Sequence, residues 1–208
     1  MQKMFPHMIG ISGPSGAGKS LLAQQLAVTI NAVVISLDSY YRDLSHIPQA
    51  ERAQQNFDQP EAIEETLLVS HLEILAQGGE VAAPVYDFER HLRSPQTLCI
   101  KAAEYVIVEG LFTLYWQRVQ ELLNTKIFVF ADKDLCLARR LERDVRERGR
   151  TPESVIEQYN RTVWPMTTRY VYPTRQFADL VVNGADPINI SVATAIAYIT
   201  KRSRVTQP

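Results

Sequence analysis

The hydrophobic positions of this chain fall into short unbroken runs, separated by stretches where apolar residues recur every three or four positions. Residues 8–12, 32–37, 105–110 and 126–130 are runs of strand length, and 180–182 is a shorter one. Between them, 21–27, 61–77, 134–148 and 187–201 carry helical spacing. Apolar strands alternating with amphipathic helices predict an α/β fold, a parallel sheet with helices on both faces. In 61–77 the stripe is Ile63, Leu67, Leu68, His71, Leu72 and Leu75, and Gly78-Gly79 stops it. Residues 81–88 and 97–100 read as two strands joined by a polar turn containing Ser94-Pro95, an inserted hairpin. Residues 42–60, polar and broken by Pro48 and Pro60, read as a loop. Gly149 ends the charged helix, and Thr151-Pro152 restarts one as N-cap and first-turn proline. Pro165 and Pro173 are expected to break or kink that second helix. Residues 1–208 read as one domain, with a hairpin insertion at about 81–100 and a helical lid at about 139–165.

Composition narrows the classes. The 208 residues are 46% hydrophobic and 22% charged, with a net charge of −1, so no bulk field draws the chain to nucleic acid or acidic lipid. No apolar run approaches the length of a membrane span. Residues 1–7 lack the apolar core of a signal peptide. Cys99 and Cys136 have no ligand spacing and read as reduced, buried thiols of a cytosolic chain.

The chemistry centres on Gly13-Pro14-Ser15-Gly16-Ala17-Gly18-Lys19-Ser20, which sits between the first strand and the first helix. That context turns G-x-x-x-x-G-K-[ST] into a phosphate site. Glycines let successive N–H groups point inward around an anion, and the helix N-terminus adds donors and a positive dipole end. Lys19 can reach the outer phosphates and the Ser20 hydroxyl can ligate Mg²⁺. The stretch predicts a nucleoside triphosphate, ATP or GTP, as ligand.

Acids at strand ends are the next candidates, because ligands of open α/β sheets sit beyond the carboxyl ends of strands. Asp38 ends the second strand, where it serves equally as a general base for an attacking hydroxyl or as a turn aspartate. Glu109 ends the strand 105–108, positioned to hold Mg²⁺ or its water shell with Ser20. In the helix 134–148, Leu137, Leu141 and Val145 form one stripe and Arg139, Arg143 and Arg146 the opposite side. Glu142, Asp144 and Glu147 suit a solvated face. The crowding of arginines toward Glu147-Arg148-Gly149-Arg150, across a glycine break, suits a mobile lid over a transferring phosphoryl group. His91 and Tyr86 lie in the hairpin, and a lone histidine is more often packed or surface than ligand-binding. Ala131-Asp132-Lys133-Asp134 approximates the guanine motif N-K-x-D without its Asn, which argues against a GTPase switch.

Taken in order, the motifs resemble the uridine kinase family, in the wider group that includes phosphoribulokinase. They are the glycine loop, Asp38-Ser39-Tyr40-Tyr41, Asn56-Phe57-Asp58, Tyr86-Asp87-Phe88 with His91 and Arg93, and Glu109-Gly110. There follow Arg139-Arg140-Leu141 with Arg143-Asp144, Glu147-Arg148-Gly149-Arg150, Gln158-Tyr159, Thr162-Val163, Ala178-Asp179 and Gly184. The resemblance implies transfer of phosphate from ATP to the 5′-hydroxyl of uridine or cytidine. It implies Asp38 as general base, with Asp58 and Arg143 on the ribose hydroxyls and Arg140 nearby. Tyr86 and His91 would meet the pyrimidine edge, with Phe88, Tyr41 and Phe57 around it. Arg148 and Arg150 would close over the phosphates, Gln158 would line the nucleoside site, and Glu109 and Ser20 would serve Mg²⁺. It further implies a cytoplasmic homo-oligomer, often a tetramer, acting in pyrimidine salvage. The chain departs from the family pattern at Gln59-Pro60-Glu61, at Thr167-Thr168-Arg169 and at Tyr172-Pro173, expected to flank the acceptor pocket. Two other readings fit the residues: a kinase of another small hydroxyl acceptor, and a nucleotide-binding regulator without turnover.

Overall fold

The computed structural model describes residues 5–52 and 54–205. The leader reading falls mostly on residues 1–4, outside the described residues. Strand β1 (His7–Ser12) leads through the glycine loop into helix α1 (Lys19–Ile30), and β2 (Val33–Ser36) follows. A 3₁₀ turn, Leu37–Tyr40, carries Asp38. The polar segment after it is mostly irregular but includes the helical turn α2 (Gln49–Arg52). Helix α3 (Glu65–Ala76) precedes the antiparallel pair β3 (Glu80–Asp87) and β4 (Leu92–Lys101). Then come β5 (Tyr105–Glu109), α4 (Gln117–Leu122), β6 (Thr125–Phe130) and α5 (Lys133–Arg148). A second long helical stretch opens with α6 (Pro152–Gln158) and includes α7 (Trp164–Met166); β7 (Leu180–Asn183) and α8 (Ile188–Val205) finish the chain.

Five parallel strands form one sheet in the order β2-β5-β1-β6-β7. Strand alternation feeds two cores. Met8, Val106, Val108 and Phe128 pack to the side of α3, α4 and the hairpin, while Ile9, Ile11, Ile107, Ile127 and Val129 pack against α1, α5 and α8. Complete burial of such residues stabilises by about 1.5–3 kcal/mol each. The chain runs to one side of β1 through β2 and β5, then crosses to β6 and β7, so the carboxyl end of β1 is the topological switch point. The glycine loop starts there. No helix among the described residues is long and apolar enough to cross a membrane.

Four expectations need correction. The hairpin turn is residues 88–91, where Asp87 Oδ1 accepts from the amides of Glu89 and Arg90; Ser94-Pro95 lies within β4, where the register with β3 shifts between Pro84 and Tyr86. Proline is tolerated in such irregularities because its missing N–H breaks no ladder bond. Pro165 does not break the helical run: π-helical turns, Tyr159–Val163 and Thr167–Val171, flank it and absorb the missing donor. Pro173 enters a 3₁₀ stretch, Tyr172–Phe177. The buried side of α5 is not the leucine stripe but Cys136, Arg140 and Asp144, while Val145 is exposed. Cys136 is buried as expected, but Cys99 is exposed on β4. The segment 131–134 is explained by capping, since Asp132 accepts from the Leu135 amide at the start of α5.

Candidate active site

The glycine loop sits in a restricted space. Gly16 has φ +86°, and a Cβ there would lie 2.4 Å from the Cys136 carbonyl oxygen of α5, so only glycine fits both the backbone and the gap. Lys19 is buried and its Nζ donates to the Pro14 carbonyl at 2.9 Å, across the mouth of the loop. Burial lowers its pKa; the nearby Glu109 and Asp38 oppose that shift. At the start of α1 the Ser20 hydroxyl donates to Glu109 Oε2 at 3.1 Å, and Ser36 on β2 donates to Glu109 Oε1 at 3.1 Å. Glu109 is 8% exposed, and burial raises its pKa. A carboxylate and a hydroxyl at a phosphate loop are hard oxygen ligands that suit Mg²⁺, an ion that completes its shell with water and phosphate oxygens. Among the described residues no group of three or more His, Cys, Asp or Glu could hold a metal alone.

A cleft of about 1320 Å³ extends from this loop to the hairpin. Its phosphate end is lined by Ser15, Gly16, Gly18, Lys19, Ser20 and Glu109, and Asp38 faces it from the turn after β2. Gly13, Pro14 and Ala17 shape the loop from behind and do not line the cleft. The far end is aromatic. Phe57 and His91 stack at 4.9 Å and 18°, Tyr41 meets Phe57 edge-on at 5.2 Å, Tyr41 and Tyr86 lie 5.3 Å apart, and Phe88 adjoins Tyr86 at 5.3 Å. His91 achieves this with a left-handed backbone, φ +53°. Burial, then the Arg148 guanidinium, lowers its pKa, which favours a neutral ring at pH 7. The Tyr86 hydroxyl is buried without a hydrogen-bond partner, a group that needs one.

Between the two ends lies the arginine helix. Arg140 Nη1 donates to Ser15 Oγ at 3.0 Å and lies 3.8 Å from the buried Asp58; its Nη2 donates to Gln158 at 3.3 Å. Gln158 also accepts from Arg150. Arg139 donates to the carbonyls of Gly16 and Ala17 at 3.4 and 3.3 Å. Arg148 sits 5.8 Å from the Phe88 ring, so α5 and the hairpin meet across the opening. The residues expected from sequence therefore converge on one cleft. Two of the groups that organise it were not foreseen as site residues: Ser36, hidden in an apolar strand, and Asp144, read as part of a solvated face. The departures from the family pattern do not line the cleft: Gln59 accepts from Asn56, Thr167 is buried in the helical run, and the Tyr172 hydroxyl donates to the Ala131 carbonyl at 2.6 Å.

Comparison with known proteins agrees with this arrangement. The model of the phosphoribulokinase/uridine kinase family matches residues 8–191. The chain is 42% identical over 196 residues to a uridine kinase of Chloroflexus aurantiacus, covering 92% of this chain and 94% of the relative. It is 39% identical over 197 residues to a uridine kinase of Clostridium botulinum, covering 93% and 96%. In fold it is similar to phosphoribulokinase from Rhodobacter spheroides, with a TM-score of 0.62 at 19% identity over 90% of this chain and 75% of the other. D-glycerate 3-kinase from Cryptococcus neoformans gives a TM-score of 0.62 at 18% identity, covering 86% and 87%. From the glycine loop to the closing Gly184, this chain belongs to the phosphoribulokinase/uridine kinase family.

Proposed function

We propose that this chain transfers the γ-phosphoryl group of ATP to the 5′-hydroxyl of uridine or cytidine. The observation that carries the reading is the aromatic pocket of Tyr41, Phe57, Tyr86 and His91, opening into the same cleft as the glycine loop and Asp38. A flat base can pack against the wall these rings make, and the unpartnered Tyr86 hydroxyl and the His91 ring supply polar groups for its edge. The names of the relatives point the same way.

In this reading the glycine loop and Lys19 hold the triphosphate. Asp58 and Arg143 take the ribose hydroxyls and bring the 5′-oxygen toward Asp38, which accepts its proton as the new O–P bond forms and the bond from the γ-phosphorus to the β–γ bridging oxygen breaks, ADP leaving. Arg148 and Arg150, on either side of Gly149, close over the phosphates and exclude water, with residues 139–165 as the lid. Ser20 and Glu109 would hold Mg²⁺, which neutralises charge developing on the phosphate oxygens. Positioning and electrostatics then supply most of the acceleration.

The test is ATP turnover with Mg²⁺ and uridine, cytidine, adenosine, ribulose 5-phosphate or pantothenate as acceptor. Turnover is expected with uridine and cytidine alone, and turnover on another alcohol instead would reassign the pocket. Asp38→Asn is expected to lower kcat by about 10²–10⁴-fold with uridine affinity largely kept. An undiminished rate would remove Asp38 from its role.

A further inference from the structure

Asp144 is fully buried, and arginines surround its carboxylate. Arg143 donates to Oδ1 from Nε at 2.9 Å and its Nη2 lies 2.8 Å from the same oxygen. Arg148 Nη1 stands 3.6 Å from Oδ1, and Arg140 Nε and Arg150 Nη1 stand 3.5 and 3.7 Å from Oδ2. The residue's backbone joins in, because its carbonyl accepts the amides of Gly149 and Arg150 at the corner that ends α5. A carboxylate buried with no cation beside it would be costly, and four guanidiniums in one cleft wall repel one another unless an anion lies among them. Asp58, on Arg140, is the other acid in this network.

We propose that Asp144 is a positioning residue, which sets Arg143, Arg148 and Arg150 as one cationic face before any triphosphate arrives. The proposal rests on the kinase reading for the roles of those arginines. Asp144 lies beneath them, too deep to touch substrate; it accepts from Arg143 and holds Arg148 and Arg150 by charge at 3.6 and 3.7 Å, while Gln158 and the Ser154 carbonyl fix the Arg150 guanidinium from its other side. It also joins the two halves of the site: Arg143 belongs to the acceptor end, Arg148 and Arg150 to the phosphate end. With the carboxylate gone the charges remain but their places do not. Ground-state attraction for the triphosphate then survives while alignment in the transition state is lost.

Asp144→Asn keeps the side-chain volume and the capping carbonyl. The variant is expected to lose about 100-fold in kcat on uridine. Its affinity for a non-hydrolysable ATP analogue should stay within about threefold of wild type. In the ligand-free protein, trypsin should cut after Arg148 and Arg150 about tenfold faster, with the rest of the digest pattern unchanged. A uniformly destabilised fold would instead speed cleavage everywhere. Wild-type kcat, or wild-type cleavage at that corner, overturns the proposal. If Asp144→Asn yields no folded protein, Arg143→Lys carries the test: it keeps a cation but not the Nε donation to Asp144. It should lose about tenfold or more in kcat, and an unchanged kcat overturns the proposal. A wild-type chain that phosphorylates no nucleoside would sink the substrate reading alone, since the cleavage comparison needs no acceptor and still decides the role of Asp144.

Discussion

The Ser36 hydroxyl donates to Oε1 of Glu109 at 3.1 Å, from a strand position that is the direct parallel partner of Glu109 itself. Because Ser20 takes the other oxygen, the carboxylate is clamped between a sheet neighbour and the start of α1. Burial raises the Glu109 pKa, and Lys19 together with the Ser36 and Ser20 hydroxyls pulls it back down. In its proposed role Glu109 acts ionised, so activity should fall as pH drops through its pKa. Ser36→Ala removes one donor to the charged form and raises that pKa further. The acid limb of the kcat/KM profile should move to higher pH, with the loss confined to that limb and the plateau above it unchanged. Superimposable profiles for the two proteins would refute the clamp.

Arg93 ties the hairpin to the turn that carries Asp38. Its Nε donates to the Tyr41 carbonyl at 2.9 Å, Nη2 to the Tyr40 carbonyl at 3.3 Å, and Nη1 meets Glu64 at 2.6 Å. Tyr41 is both a neighbour of Asp38 in the chain and a wall of the aromatic pocket. Arg93→Met keeps the apolar stem and removes the three-way grip. Thermal unfolding should show a loss of about 1–3 kcal/mol, and KM for the nucleoside should rise several-fold more than KM for ATP. Equal effects on both Michaelis constants would show that Arg93 supports the fold without setting the pocket.

The sequence made some of this legible and hid the rest for physical reasons. The glycine loop could be read because its chemistry is local: spacing, flanking strand and following helix are all contiguous. The sheet could be read because strands buried on both faces leave unbroken apolar runs, and residues such as Val106, Ile107 and Val108 have no solvent side. The facing of α5 could not. Hydrophobic periodicity assumes that charge faces water, yet Arg140 is buried because the helix packs beneath a phosphate cleft, where its partners Ser15, Asp58 and Gln158 come from other segments, and Asp144 is buried among arginines of its own helix and the corner after it. Cys99 shows a related limit. Alternation along a strand separates its two faces without saying which one a hairpin turns outward. Pro165 was expected to interrupt a helix because propensity counts a missing N–H as a break, whereas bonding five residues apart lets the helical path continue around it.

Gly184, beyond β7, matters for closeness rather than for backbone freedom. A Cβ there would lie 2.2 Å from the Ala17 carbonyl oxygen and 3.1 Å from that of Phe130. Both obstacles are backbone, and the Ala17 carbonyl also accepts from Arg139. Gly184→Ala must therefore displace the glycine loop from a strand end that touches no phosphate. It should destabilise the chain by about 1–3 kcal/mol and weaken binding of an ATP analogue about tenfold. Nucleoside affinity should be nearly unaffected. Wild-type affinity for the analogue would mean that the loop tolerates the shift.

Asp58 makes a trade between stability and function measurable. Burial raises its pKa above the ordinary 3.8, against the pull of Arg140. A folded state that holds its proton more tightly than the unfolded chain gains stability below that range and gives it up as pH rises toward the elevated folded pKa. The ionised carboxylate is thus a cost at neutral pH, kept in the proposed reading for the ribose hydroxyls it would bind. Asp58→Asn mimics the uncharged form and escapes the cost. Denaturant unfolding of the ligand-free proteins should show the variant gaining on wild type as pH rises from about 4 through the elevated folded pKa, while uridine phosphorylation collapses. A wild type that gains on the variant over that range would mean that Arg140 outweighs burial and that Asp58 is held for stability after all.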